Sequence, residues 1–286
     1  MNMNKISLAL LPLLAVLATG CGGDDGDDGA VGAVGAVGAT GATGATGADG
    51  ADGADGADGA DGVNGNLAVY TVKLTNLTFS QPFSPAAIIL HEPGYNAFTE
   101  GETASVGIEK LAEGGNPADV VSEALAATQF LDAVATSSPT PPKSTSGTST
   151  LLVPLLDVDN LRISFTTMLV NTNDAFTGLN AADISNMEVG QSVSFMAPTW
   201  DSGTEANIET ASTMPGPAAA AAGGGGESAG FDAARDDLFD RVHIHRGVTT
   251  NANADDASKE GLSTSILTEA ARWDNPTARI VVTRTR

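Results

Sequence analysis

Residues 68–75 read AVYTVKLT. Alternating and rich in β-branched and aromatic residues, the stretch predicts a β-strand with one face on a core. Runs of the same character recur at 150–156, 161–170 (LRISFTTMLV), 192–197, 241–245 and 279–285 (RIVVTRT). Only two segments, 104–113 (ASVGIEKLAE) and 117–127 (PADVVSEALAA), have helical spacing, each following a polar starter and ending near Gly or Thr. Strands outnumber helices and no βαβ alternation appears, so the expected class is mainly β, an antiparallel β-sandwich with a few short helices. The compact turn Asp157-Val158-Asp159-Asn160 predicts a hairpin between the strands on either side of it. Residues 137–147 and 213–230 read as exposed loops.

All of these elements fall within residues 66–286, a length that suffices for one large domain with a proper core. The whole chain has 286 residues, 13 Lys or Arg against 35 Asp or Glu, and a formal charge of −22. Such an acidic balance leaves nothing to neutralise a run of phosphates, which argues against nucleic acid as a partner. A single cysteine, Cys21, excludes a disulfide framework and a thiolate-rich zinc site. Only 13 aromatic residues beside 34 glycines indicate a long segment without a core.

That segment lies upstream. Residues 1–20 carry one lysine, Lys5, then an apolar run too short for a bilayer and a small-residue exit, the pattern of a secretory signal peptide. The last residues, Leu17-Ala18-Thr19-Gly20-Cys21, resemble a bacterial lipobox, with Ala18 where the motif usually has Leu, Val or Ile. The resemblance implies an acylated Cys21 that anchors the chain to a membrane, each buried methylene contributing about 0.8 kcal/mol. Gly22 in place of an inner-membrane aspartate favours the outer membrane or cell surface of a bacterial envelope. From Gly23 to Gly65 a glycine falls at every third position. Strict period three is the collagen signature, because only glycine fits at the axis of three extended chains. The run has no proline and nine aspartates without a basic residue among them. Two readings of residues 21–65 stay open: a collagen-like stalk that makes the protein a homotrimer, or a flexible acidic spacer.

Within the domain, several motifs occur in one order: YTVKLTNLT at 70–78, FSPAAIILHE at 83–92, EGETASVGIEKLAEGG at 100–115, TMLVNTNDAFTGL at 167–179, WDSGTEAN at 200–207 and RWDNPTARIVVTR at 272–284. They resemble the spondin N-terminal domain family over most of residues 67–286. The resemblance implies an antiparallel β-sandwich similar to calcium-dependent phospholipid-binding domains, found among matrix and adhesion proteins. It also implies calcium held by carboxylates of two loops, which here are Asp174, Asp201 and Glu205, the last standing where an aspartate is usual. Calcium takes six to eight oxygen ligands, and Ser202-Gly203-Thr204 permits a turn tight enough to bring two carboxylates together.

Two of the three histidines form His243-Ile244-His245. Side chains two apart in a strand share a face, so His243 and His245 are an alternative transition-metal pair, with Asp237 or Asp240 as a nearby acid. The competing reading is an exposed strand with two imidazoles on its polar face. His91, after the apolar AAIIL, reads as a hydrogen-bonded structural residue. No HExxH motif or phosphate-binding glycine loop is present, which argues against an enzyme. The expectation is a lipid-anchored surface protein whose stalk displays a calcium-binding module for an extracellular protein or polysaccharide. The alternatives are a structural envelope component trimerised through the stalk, and a metal-dependent hydrolase centred on His243 and His245.

Overall fold

The computed structural model describes residues 35–38, 66–224, 231–251 and 261–286. The export segment, Cys21 and the triplet run apart from 35–38 lie outside them. The chain divides into two units, Met1–Ala57 and Asp58–Arg286, and the second carries all the regular structure among the described residues.

β1 (Leu67–Asn76) alternates as its sequence predicts, with Ala68, Tyr70, Val72 and Leu74 buried. It lies between β4 (Ser149–Pro154) and β10 (Ala278–Arg284), and β7 (Ser192–Ala197) completes this four-stranded antiparallel sheet beyond β10. Val72 pairs with Val282 and Leu74 with Ile280, so the two ends of the domain share one ladder and one core face.

The second sheet runs in the order β3 (Phe130–Ala135), β2 (Ala87–His91), β5 (Arg162–Met168), β6 (Ala175–Asp183), β8 (Thr199–Asp201) and β9 (His243–Ile244), again antiparallel. Ile88, Leu90, Ile163 and Phe165 meet the first sheet in the main core. Ala87 and Ile89, on the opposite face of β2, meet Ile108, Leu111 and Val120 of two helices, α1 (Val106–Gly114) and α2 (Ala118–Leu125). The result is a β-sandwich with a helical layer on one side. Ser105 caps α1 by accepting from the Ile108 amide, and Gly115, at φ +70°, ends it in a left-handed turn.

The expected hairpin between β4 and β5 does not form. β4 pairs with β1 in the first sheet, whereas β5 pairs with β2 and β6 in the second. Between them a 3-10 turn, Leu155–Asn160, with Val158 buried, carries the chain from one layer to the other. Turn chemistry reports a change of direction but not which sheet receives the next strand. Four strands go unmarked by alternation: β2, buried on both faces and so continuously apolar, the half-buried β3, β6, and the three-residue β8. The strand expected at 241–245 shortens to β9.

The loop expected at 213–230 is corrected over its described part. Residues 217–221 form a short helix, α3 (Pro217–Ala221), and Met214 and Ala219 are fully buried against Val248, Leu267 and Ala271. Burial there comes from tertiary contact, which the Ala/Gly composition does not announce. Among the described residues no helix is long and apolar enough to cross a membrane.

Candidate metal centre

At one end of the second sheet, successive ladders assemble a group of ionisable side chains. Asp174 immediately precedes β6, after a turn in which the Ala175 amide donates to Thr172 Oγ1 at 3.1 Å. β8 pairs with β6 so that Asp201 stands opposite Ala175, and β9 pairs with β8 so that His243 stands opposite Asp201. His245, just past β9, is held by its amide donating to Thr199 O at 3.1 Å. One ligand atom each from Asp174, Asp201 and His245 lies within 4.8 Å of the others, and all three residues are buried.

The turn after Asp201 folds over Asp174. Its Oδ2 accepts from Ser202 Oγ (3.0 Å), the Thr204 amide (3.0 Å) and the Glu205 amide (3.2 Å). Asp174 Oδ1 is buried and has no hydrogen-bond partner. Gly203 permits the turn, since its φ is +72° and a Cβ there would collide with the Arg241 backbone. Asp201 Oδ1 accepts from the Gly203 amide at 2.9 Å, and its Oδ2 accepts from Asn207 Nδ2 at 2.9 Å.

The two histidines converge on the same acid. His245 Nε2 lies 3.7 Å and His243 Nε2 3.8 Å from Asp201 Oδ2. Burial lowers the pKa of His245, with Asp201 working against that shift, and its Nδ1 accepts from the Gly247 amide at 2.9 Å. The neutral ring therefore carries its proton on Nε2, which donates to Asn207 Oδ1 at 3.2 Å. In this tautomer His245 orients Asn207 and Asp201 and offers no lone pair to a metal.

Two carboxylates this close and this buried repel by roughly 3–4 kcal/mol at an effective dielectric of about 20. Desolvation first, and Asp201 second, push Asp174 well above the usual carboxylate range. A divalent cation beside the unpaired Asp174 Oδ1 would reverse both effects. Carboxylate oxygens suit a hard, oxygen-preferring ion, so the Asp174–Asp201 pair fits calcium, while neutral His243, whose Nδ1 donates to Arg241 O at 2.8 Å, leaves its Nε2 lone pair beside Asp201.

Glu205 belongs to the same turn, but its carboxyl stands apart from the Asp174–Asp201–His245 group. Its Oε2 is buried without a partner, and burial, then Glu113, Asp236 and Asp232, push its pKa up to about 8. Glu113 was not legible as a site residue, since in α1 it reads as one more polar position on an amphipathic helix. His91 is fully buried; its Nδ1 donates to Glu92 O at 2.8 Å and its Nε2 meets Ser164 Oγ at 2.9 Å, a structural role.

Comparison with protein families places two matches on the chain. The Spondin_N model matches residues 75–220, and the collagen triple helix repeat model matches residues 18–69. Both are families whose members are generally not enzymes. No curated protein matches the chain.

Proposed function

This chain belongs to the Spondin_N family, and from that premise we propose that it is a lipid-anchored display protein of a bacterial envelope. The Spondin_N domain and the collagen repeat together fit an extracellular binding or structural protein. In the proposed reading, acylated Cys21 holds the chain to the outer membrane or cell surface, the triplet run lifts the domain away, and the domain binds an extracellular protein or polysaccharide. Calcium, held by the loop acids Asp174 and Asp201, stiffens that end of the sandwich. The observation that supports this most directly is the buried Asp174–Asp201 pair with an unpaired oxygen. Calorimetric titration of the purified chain with calcium tests it: a saturable heat is expected, and silence at millimolar calcium overturns the calcium reading.

A second reading, a structural component trimerised through its stalk, is favoured by the collagen repeat match at 18–69. Circular dichroism of the mature chain would then show a cooperative triple-helix melt. Sedimentation as a monomer rules it out.

A further inference from the structure

A second group of acids lies behind the turn that covers Asp174. Glu113, in the last turn of α1, is only 2% exposed. Its Oε2 accepts from the Asp232 amide at 2.9 Å, while its Oε1 is buried without a well-formed hydrogen bond, the Thr204 hydroxyl being the donor that approaches the carboxyl. Glu205 presents an unpartnered Oε2. The chain at 232–236 closes across both: the Asp236 amide donates to Thr204 O at 3.1 Å, and Asp236 Oδ1 accepts from the Ala206 amide at 2.7 Å. Asp232 and Asp236 are exposed, so the group opens to solvent along that edge.

Nothing described balances this charge. Arg235, in the same closing segment, is engaged by Glu109 at 2.6 Å and by Asp240 at 2.9 Å. Lys110 pairs with Asp119 at 3.1 Å. An acid in the last turn of a helix also faces the negative end of the helix dipole, a position that favours a cation. Buried like charges with orphaned oxygens cost several kcal/mol unless something compensates them.

We propose that Glu113 and Glu205 hold a second divalent cation, on the other side of the Ser202–Glu205 turn from the Asp174–Asp201 pair. The inference rests on the reading that this end of the domain takes calcium, and it divides the acids between two ions: Asp174 and Asp201 serve one, Glu205 and Glu113 the other. Buried Glu113 and half-buried Glu205 supply the protein oxygens, and solvent at the Asp232–Asp236 edge supplies the rest, as calcium's six to eight ligands allow. Without an ion, burial pushes Glu113 up to about 7 and Glu205 up to about 8, which suits carboxyls lacking their counter-charge.

Equilibrium dialysis of the chelator-stripped full chain against calcium decides the matter. Two ions per chain are expected, falling to one in Glu113→Gln and to one in Asp174→Asn. A single ion in the unsubstituted chain, whatever the variants do, overturns the second site and leaves the first; so does a Glu113→Gln protein that keeps two. If Glu113→Gln fails to fold, Glu205→Gln, whose residue is only half buried, must show the same halving, and two ions there also overturn the proposal. No bound calcium in any form is a different result, because it removes the calcium reading itself.

Discussion

Asp201 and His243 stand opposite one another across β8 and β9, with His243 Nε2 3.8 Å from Asp201 Oδ2. In the sequence these residues belong to separate metal hypotheses, one of loop acids and one of strand imidazoles. A two-residue strand joins them at one carboxylate. The acid is the shared element, and the imidazoles act around it.

Asp174→Asn should stabilise the metal-free protein. Asparagine keeps an acceptor for Ser202, Thr204 and Glu205, and replaces the unpaired oxygen with a donor. A neutral amide whose new donor faces the Asp201 carboxylate removes one of two neighbouring buried charges, worth about 1–3 kcal/mol, or a few degrees in melting temperature for a domain of this size. Thermal melts in chelator should show the rise, and addition of calcium should raise the variant less than the parent. A fall in chelator would mean that the unpaired oxygen has a partner in solution.

In chelator, stability should decline as pH rises from about 6.5 to 8, above the range in which the buried His91 and His245, lowered by burial from 6.5, oppose the trend. Folding raises Glu113 from 4.5 to about 7 and Glu205 from 4.5 to about 8. Across that window the folded protein keeps protons that the unfolded chain has released, so the stability present below pH 4.5 is lost through the folded values. Urea midpoints at several pH values measure the slope, which calcium should flatten. A midpoint independent of pH in chelator would contradict the burial of these two acids.

Gly203→Ala should lose both the turn and the calcium response. A Cβ at this position meets the backbone of Arg241 and Phe239 within 3 Å, at a φ that side chains rarely adopt. The cost is about 2–4 kcal/mol, read as a lower urea midpoint, with calcium affinity down at least tenfold. A Gly203→Ala protein with unchanged midpoint would show that segment 239–241 moves aside freely.

Replacement of both His243 and His245 by alanine should leave calcium stoichiometry unchanged and weaken affinity about tenfold, the usual effect of removing an orienting partner. Zinc analysis separates this from a hydrolase centre. The purified chain should retain no stoichiometric zinc, because His245, protonated on Nε2 with Nδ1 accepting from the Gly247 amide, offers no lone pair and leaves His243 as a single imidazole. Zinc present in the parent and lost in the double variant would make the imidazoles ligands.

Much of the sandwich was legible in the chain. β1, β7 and β10 alternate because each buries one face only, and α1 and α2 show their apolar spacing and polar starts. β2 was hidden for the opposite reason: with a sheet on one side and helices on the other, it has no polar face to set a period. Asp174 and Asp201 were found through motifs that resemble a family, and nothing in their spacing of 27 residues places them in contact. Glu113 carried no local mark, and His245, marked by its spacing of two from His243, carried nothing that tied it to Asp201 or Asp174.

By itself the sequence determined the mainly β class and the acidic triplet segment upstream, because each of these is written in local periodicity or composition, and its motifs pointed to the loops that carry the acids. Tertiary structure alone decided that β4 and β5 belong to different sheets, that residues around Met214 and Ala219 are core, and that Asp201 meets Asp174 and two histidines. The physical reason is range: periodicity records which face of a segment avoids water, whereas pairing and burial depend on which distant segment covers that face.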